Sequence, residues 1–284
     1  MGRRFLVRYC SFSIAVGVTI ATAGIACSSF SASEDGPRLV DTPETSPPPP
    51  PPGDSAVAPV DSGLEPVATD PYSAAVLADK PIAYFRFEET TGASPKNEIP
   101  TSAVTALLSS NVTVHVEGIS PNGHAVQLDT STASVSAFEA MNFAGDDDFT
   151  VEAWVVLGST TNATIFKNMD NEGADERVGQ WLLLSSGTLR SETWNLGQLI
   201  FGADLVSAPI QSWTHVVFLH SGAQNVDLVY ANATVGTNYH QGTAARAAPA
   251  SPLRWTGFQG RLDELAIYST ALSPTRILAH YQAR

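Results

Sequence analysis

The stretch Gly260-Arg-Leu-Asp-Glu-Leu-Ala-Ile-Tyr268, near the C-terminus, decides how the rest of the chain is interpreted. Its side chains fit a strand with two distinct faces. The predicted faces are Leu262, Glu264, Ala266 and Tyr268 on one side, and Arg261, Asp263, Leu265 and Ile267 on the other. We expect this strand to close the fold and to end at the polar residues after Tyr268.

A short helix is predicted directly after this strand. Ser273 can cap a helix N-terminus, and Pro274 suits the first helical position. Ile277, Leu278 and Tyr281 then share one helical face. The chain is therefore expected to finish as strand, turn and short C-terminal helix.

Strands dominate the sequence from residue 82 onward, after a helical run at 73–79. The strongest is Phe149–Leu157, in which Phe149, Val151, Ala153 and Val155 form the predicted core face. Other predicted strands cover 82–87, 112–116, 124–128, 132–138, 164–167, 181–184, 188–194, 198–201, 213–219, 227–230, 233–235 and 254–258, with a polar loop at 168–179. Short strands separated by turns predict an all-β fold, a two-sheet antiparallel sandwich.

The N-terminus resembles a secretory signal of the bacterial lipoprotein type. Basic residues are followed by a short apolar stretch and by small residues that precede Cys27. We predict a signal peptide at 1–26 and lipidation of Cys27; the alternative is an ordinary cleavage site beside an incidental cysteine. The other cysteine, Cys10, lies inside the signal, so the mature domain is expected to contain no disulfide.

Residues 27–71 are rich in proline, serine and acidic residues, with six consecutive prolines at 47–52. This composition predicts a disordered linker, and the folded domain is expected at 72–284. Together these segments predict a protein of the bacterial cell envelope, in the outer membrane and periplasm or at the cell surface. Its contact with the membrane would be through the lipid anchor only.

The charge of the chain excludes some classes of partner. It has 15 Lys and Arg against 28 Asp and Glu, a net charge of −13. An acidic surface repels phosphate backbones and anionic headgroups, which argues against nucleic acid and against electrostatic docking to membranes. Neutral glycans, cationic partners and divalent metals remain possible.

Several sequence blocks, in order, resemble the laminin G-like jelly roll of the concanavalin A-like lectin and glucanase superfamily. They are residues 84–92 (YFRFEETTG), 122–129 (NGHAVQLD), 149–154 (FTVEAW), 164–167 (TIFK), 213–216 (WTHV), 227–232 (DLVYAN), 260–268 (GRLDELAIY) and 271–274 (ALSP). The resemblance implies a sandwich that often binds glycans or proteins, and sometimes a structural calcium ion. Some relatives are glycosidases. The loop at 95–100 lacks the Asp- and Gly-rich pattern common in relatives, which counts against calcium in that loop.

Carboxylate spacing argues against catalysis. Glycoside hydrolysis needs two carboxyl groups about 5–9.5 Å apart. Asp148 and Glu152 share a strand face but lie about 13 Å apart, and Asp263 and Glu264 are expected to point to opposite faces. Asp146 and Asp148 are suitably spaced but lie in a turn. The sequence therefore predicts no enzyme, although carboxyl groups from different strands could still meet.

The acidic residues leave calcium open as a cofactor. Asp263 could hold the ion with Glu88 or Asn97, since calcium prefers oxygen ligands. The alternative is that these side chains only accept hydrogen bonds from loop amides. His215 and His220 have opposite strand parity, so they are expected to face opposite sides rather than form a metal site, and His215 is expected to be a structural histidine.

Trp194 is the sequence's candidate for ligand binding. It lies beside Glu192 and Asn195 in what we predict to be a polar turn, and an exposed indole flanked by polar groups suits stacking on a sugar. The alternative is a Trp folded back against the sandwich edge. The three other tryptophans considered, Trp154, Trp181 and Trp213, are predicted to be core residues.

The sequence thus predicts a cell-envelope lipoprotein that presents a non-catalytic glycan-binding or adhesion module. Its partner would be a glycan or an envelope or surface protein. One alternative is a protein–protein interaction scaffold that uses the sandwich face. The other is a glycoside hydrolase-related domain.

Overall fold

A computed structural model describes residues 70–140, 143, 147–158, 162–171, 176–239 and 248–284, with the backbone alone at 200–205 and 238–239. The predicted signal, Cys27 and nearly all of the predicted linker lie outside these residues. The helices are α1 (Pro71–Ala78) and α2 (Pro274–Gln282). The strands are β1 (Ala83–Phe85), β2 (Thr105–Leu108), β3 (Val112–Glu117), β4 (His124–Leu128), β5 (Ser134–Phe138), β6 (Phe149–Leu157), β7 (Ala163–Asp170), β8 (Val178–Ser185), β9 (Thr188–Asn195), β10 (Gln198–Ser207), β11 (Trp213–Ser221), β12 (Val226–Ala231), β13 (Thr234–Tyr239), β14 (Leu253–Thr256) and β15 (Gly260–Tyr268).

The strands form two antiparallel sheets, which confirms the predicted sandwich. The first sheet has the order β13-β12-β11-β6-β15-β4-β3, and β1 pairs with the second half of β15. The second sheet has the order β10-β9-β8-β7-β14-β5-β2. Strands distant in sequence are neighbours in both sheets: β15 pairs with β4 in the first sheet, and β14 pairs with β5 in the second. Each sheet therefore contains strands from both ends of the domain.

The main apolar core lies between the two sheets. The predicted core face of β6 is confirmed: Phe149, Val151, Ala153 and Val155 are fully buried in it. Trp255, on β14 of the second sheet, fills the same core. This core contains no cysteine, so apolar burial is the main source of its stability.

The outer face of the first sheet is covered by both helices. α1 begins at Pro71 with Asp70 as its N-cap, and α2 begins at Pro274 with Ser273 as its cap, as predicted. A second apolar cluster, which includes Trp154, lies beneath the helices. β6 is therefore buried on both faces, although its sequence alternates. None of the helices in the described part of the chain is long and apolar enough to cross a membrane.

The predicted faces of β15 are wrong because a bulge interrupts the strand. The register with β6 shifts between Asp263 and Ala266, and Glu264 adopts a φ of 52°. The extra residue reverses the alternation, so Leu262 and Leu265 both point into the main core. Asp263 and Glu264 consequently lie on the helix-covered side together, not on opposite faces as the sequence suggested.

Three further expectations need correction. The polar loop predicted at 168–179 is shorter, because β7 continues to Asp170 and β8 starts at Val178. β2 was not predicted at all. The hairpin after β12 turns at Asn232 and Ala233, both with positive φ, whereas the predicted strands 227–230 and 233–235 placed the turn at Ala231 and Asn232. Asn232 also accepts a hydrogen bond from the backbone N–H of His215 at 2.9 Å, which ties this turn to β11.

Candidate functional site

Within the described residues, the outer face of the second sheet has no helix over it. The inward side chains of its strands, such as Leu182, Leu184 and Leu189, belong to the main core. The alternating positions on β8 and β9 therefore point to solvent. We call this surface the open face; it is centred on Trp181, Trp194, Glu192, Arg190 and Lys167.

Trp181 is the central aromatic residue of the open face. It was predicted to be core, but it is half-buried, and Trp213 on the first sheet is half-buried as well; only Trp154 of the three is fully buried. The indole Nε1 of Trp181 donates a hydrogen bond to Thr164 Oγ1 at 3.0 Å. This bond fixes the orientation of the ring, which lies between Lys167 on β7 and Glu192 on β9 in the strand register.

Trp194 lies inside β9 and not in a turn, as the sequence had suggested. Its ring is half-buried, and its Nε1 donates to Glu192 Oε2 at 3.1 Å. Glu192 Oε1 accepts from Arg190 Nε at 3.0 Å, and the Arg177 guanidinium carbon lies 4.2 Å from the Trp194 ring centroid. The structure thus brings Trp194 and Glu192 together, and one face of the indole already contacts a cation.

Asn195, the third predicted ligand residue, is the last residue of β9. The turn that follows contains Leu196 and Gly197, both with positive φ. Leu196 is 66% exposed and Leu199, opposite Trp194 in the register, is 43% exposed. The end of this hairpin is therefore apolar, while Asn195 adds an amide beside it.

A depression of about 340 Å³ adjoins Trp181 on the open face. It is lined by Thr164, Leu183, Ser185 and Arg190 together with Asn162. Leu183 supplies an apolar wall, and the others supply hydroxyl, amide and guanidinium groups. Such a mixture of one apolar surface and several polar groups is typical of a small-molecule site.

Most of this face was not predicted from the sequence. Trp181 and Leu183 alternate with the core residues Leu182 and Leu184, and this alternation was the available signal. It was overlooked because an apolar run of four residues reads as a strand buried on both faces. Arg190 and Thr164 carried no local signal, since they meet Trp181 only through strand pairing.

Two of the candidate calcium ligands, Asp263 and Glu88, accept hydrogen bonds from backbone N–H groups. Asp263 Oδ2 accepts from the backbone N–H of Ile119 at 2.8 Å, and Glu88 Oε2 accepts from that of His124 at 3.0 Å. These two carboxylates therefore fasten both ends of the loop between β3 and β4. Within the described residues, no group of three or more His, Cys, Asp and Glu side chains could hold a metal ion.

Asn97 has other neighbours. Its Oδ1 accepts from the backbone N–H groups of Tyr84 and Ile99, each at 3.0 Å, and its Nδ2 donates to the Val104 carbonyl at 2.9 Å. The side chain thus fixes the segment after β1. Calcium binding by Asp263, Glu88 and Asn97 remains a prediction.

Three of the carboxylates considered for catalysis lie away from the open face, and Asp146 lies outside the described residues. Glu152, Asp263 and Glu264 are at most 1% exposed beneath the helices. Burial raises the pKa of Glu264 to about 7, and the Arg86 charge and the Tyr84 hydroxyl offset this only in part. Burial and the neighbouring Glu264 raise the pKa of Asp263 well above its usual range. These groups cannot reach a polysaccharide without displacement of a helix or loop.

Glu152 is the centre of a buried polar cluster that explains His215. The expected structural histidine is confirmed, since His215 Nε2 lies 3.1 Å from Glu152 Oε2 and the ring is fully buried. Tyr268 donates its hydroxyl to the same carboxylate, and His280 Nδ1 lies 3.0 Å from it. Burial alone would raise the pKa of Glu152, but the hydrogen bonds from His215 and His280 lower it to about 2.

Sequence comparison identifies the family of this fold. A family model for a laminin G-like group, described as the concanavalin A-like lectin/glucanases superfamily, matches residues 128–278, which is more than half of the chain. The chain belongs to this superfamily. The match runs from the end of β4 into α2, so it covers the open face and most of the first sheet. No curated protein was found to match the sequence.

Solved structures share the fold of this superfamily member. The binding domain of Paraclostridial Mosquitocidal Protein 1 is 16% identical, with a TM-score of 0.56, 72% of this chain and 52% of that chain being covered. The Botulinum neurotoxin serotype D ligand binding domain in complex with N-acetylneuraminic acid is 12% identical, with a TM-score of 0.56 and coverages of 74% and 53%. The serotype G binding domain is 11% identical, with a TM-score of 0.53 and coverages of 71% and 50%. This chain spans about half the length of these neighbours, and at such identities the likeness shows the fold alone.

Proposed function

We propose that this superfamily member is a cell-envelope lipoprotein whose sandwich binds glycans through the open face. The observation that carries the proposal is Trp181, an indole held by Thr164 next to a depression lined by hydroxyl and guanidinium groups. Sugars have an apolar ring face and a polar rim. They are matched by an aromatic plane with hydrogen-bonding groups at its edge.

The open face would bind without large rearrangement. Most of its groups lie on three adjacent strands, and Glu192 is held by hydrogen bonds from Arg190 and Trp194. A site that is already ordered loses little conformational entropy when a ligand binds. Glycan recognition by one of the structural neighbours, named as a complex with N-acetylneuraminic acid, is consistent with this use of the fold.

We infer that the module is not catalytic. Glu192 is the carboxylate at the centre of the open face, and both of its oxygens accept hydrogen bonds within the protein. Glu152, Asp263 and Glu264 are buried on the opposite side of the sandwich. Hydrolysis needs two accessible carboxyl groups that flank the bond to be broken. Glu192 and the three buried carboxylates form no such pair.

Binding is tested by a glycan array probed with the protein, with and without calcium. Trp181→Ala is expected to abolish the strongest signals, because the stacking surface is lost, and Trp194→Ala to weaken them. Trp213→Ala is the matched control: it removes a half-buried Trp that contacts Arg261 on the first sheet. Equal loss in all three variants, or no signal for any glycan, would refute the proposal.

The proposed localisation of the protein at the cell envelope depends on Cys27. We propose that this residue is lipidated after cleavage of 1–26 and that 27–71 carry the domain away from the membrane. Labelled palmitate should be incorporated into the wild-type protein and not into Cys27→Ala. The variant should also leave the membrane fraction. Retention of Cys27→Ala in membranes would contradict lipid anchoring.

A protein partner is the second candidate, because the hairpin end exposes apolar side chains. Leu196 and Leu199 are more exposed than is usual for leucine, and such patches often mark protein contacts. This scaffold function predicts that Leu196→Asp reduces capture of an envelope protein while glycan binding is kept. A loss of glycan binding in Leu196→Asp would instead place the hairpin end in the glycan site.

A further inference from the structure

A second depression, of about 310 Å³, borders the one that adjoins Trp181. Asn162 and Ala163, where β7 begins, line both depressions. The other lining residues of the second depression come from the loops that follow β4, β6 and β14: Ser131, Gly158, Gly257, Phe258 and Gln259. The two depressions therefore form one continuous groove, which leads from the open face to an end of the sandwich. We call it the extended groove.

Hydrogen bonds between loops hold the walls of the second depression in place. The backbone N–H of Gly257 donates to the Ser131 carbonyl at 3.1 Å. The backbone N–H of Gly158 donates to the Gln259 carbonyl at 2.9 Å, and Gln259 Nε2 donates to the Asp129 carbonyl at 3.1 Å. Because these loops are already tied to one another, a ligand in the second depression would lose little affinity to ordering of the protein.

Thr164 joins the two halves of the extended groove. Its hydroxyl accepts the hydrogen bond that orients the Trp181 indole, and the residue lines the first depression. Gly257, from the wall of the second depression, packs against the same side chain: a Cβ added to Gly257 would lie 2.6 Å from Thr164 Cβ. The indole and the second depression are thus held in a fixed position relative to each other.

The groups along the extended groove suit a ligand without charge. The second depression is lined by a hydroxyl, two carboxamides and backbone groups, and no charged side chain is among its described lining residues. In the first depression, the Arg190 guanidinium donates to Glu192, so its charge is already matched. Hydroxyls and carboxamides can both donate and accept hydrogen bonds, and so can the hydroxyl groups of a sugar.

We propose that the glycan bound by the open face is a neutral oligosaccharide that follows the extended groove, with one ring stacked on Trp181 and further rings in the second depression. This inference rests on the proposed function and names its ligand class. Ser185, at the far side of the first depression, is four residues from Trp181 along β8, a distance of about 13 Å. A single sugar ring is shorter than this, so only a chain of sugars can contact the indole and the second depression together.

The test is a titration of the full chain with neutral oligosaccharides one to six units long: cello-, malto-, manno-, xylo- and N-acetylated chito-oligosaccharides. In a series that binds, affinity should rise at least about tenfold as the chain grows into the second depression, since two added hydrogen bonds favour binding by about that factor. Ser131→Trp fills the second depression and should remove this rise, while the short members still bind through Trp181. Gln259→Ala removes a carboxamide without adding volume and should reduce the rise.

Ser269→Trp is the matched control, because Ser269 is also an exposed serine in a turn, at the other end of β15. It should bind every oligomer like the wild type. A single sugar that binds as tightly as the longest oligomer, a rise that is unchanged in Ser131→Trp and Gln259→Ala, or no binding of any neutral series would overturn the inference. A Trp181-dependent array signal from other glycans would then leave the proposed function standing, whereas an array without any signal would refute both.

Discussion

His280 lies between two carboxylates, and this arrangement fixes its charge. Its Nδ1 lies 3.0 Å from Glu152 Oε1 and its Nε2 lies 2.8 Å from Asp79 Oδ2, so both ring nitrogens must donate. Burial alone would lower the pKa of His280, but the hydrogen bond and charge of Glu152, followed by those of Asp79, raise it. The imidazolium therefore links α2 to α1 and to β6.

This histidine predicts a loss of stability at alkaline pH. Because the pKa of His280 is higher in the folded than in the unfolded state, its contribution is fully present below about pH 6.5. It is lost as the pH rises through the raised folded value. Urea unfolding should give a lower free energy at pH 9 than at pH 6. His280→Gln should flatten this dependence, and an equally steep dependence in His280→Gln would contradict the assignment.

Glu264 predicts a second effect of the same sign at lower pH. Its pKa of about 7 in the folded protein lies above the ordinary value of 4.5, so the protonated form favours folding. Its stabilisation is present below pH 4.5 and is lost between pH 4.5 and about 7, with a magnitude of about 3 kcal/mol. Glu264→Gln should make the loss of stability between pH 5 and 6.5 smaller than in the wild type, as measured by urea unfolding; the loss at higher pH, to which His280 contributes, should remain. A loss between pH 5 and 6.5 as steep as in the wild type would refute the prediction.

At the residue scale, the sequence predicted partners best where they follow local rules. The Ser273 cap is set by its neighbours in sequence, and Trp194 and Glu192 were grouped as candidates because they lie two residues apart. The position of Arg254 beside Lys167 depends on a pairing between strands more than 80 residues apart, which no local pattern reports.

At the scale of elements, the start of β15 depends on a glycine. A Cβ added to Gly260 would overlap the carbonyl oxygen of Val156 on β6. The strand approaches its neighbour so closely here that a side chain would push the two apart. Gly260 is also the first residue of the stretch 260–268, from which the last strand of the fold was predicted.

Gly260→Ala should therefore destabilise the domain by about 2–4 kcal/mol, the range of strong packing defects. Gly92→Ala is the matched control, because Gly92 also has a positive φ but has nothing within 4 Å of an added Cβ. It should cost about 1 kcal/mol, from backbone strain alone. Chemical unfolding of the two variants compares them directly, and similar losses would show that the close approach is not what requires Gly260.

The strands themselves were largely predictable and the bulge in β15 was not. Alternation in β6 and the turn residues between strands are local signals, so element positions follow from them. A bulge inserts one residue without changing the composition of the strand, and its presence depends on the register with β6. This is why Asp263 and Glu264 were assigned to opposite faces.

At the scale of the whole molecule, the two sheets differ in what covers them. α1 and α2 bury the outer face of the first sheet and are joined by Arg276 and Asp79, whose side chains are 2.8 Å apart and 197 residues apart in sequence. The sequence predicted both helices and the sandwich, but it could not show which sheet they cover. The sheet that the helices cover determines which tryptophans face solvent, and therefore where the candidate site lies.

The most direct test of the account is the affinity of the protein for the best glycan found on an array, measured by titration calorimetry for wild type, Trp181→Ala and Trp213→Ala. The account predicts that binding is lost in Trp181→Ala and unchanged in Trp213→Ala, with all three proteins showing the same unfolding transition. Unchanged affinity in Trp181→Ala would contradict the account, and loss in Trp213→Ala alone would in addition place the binding site on the first sheet.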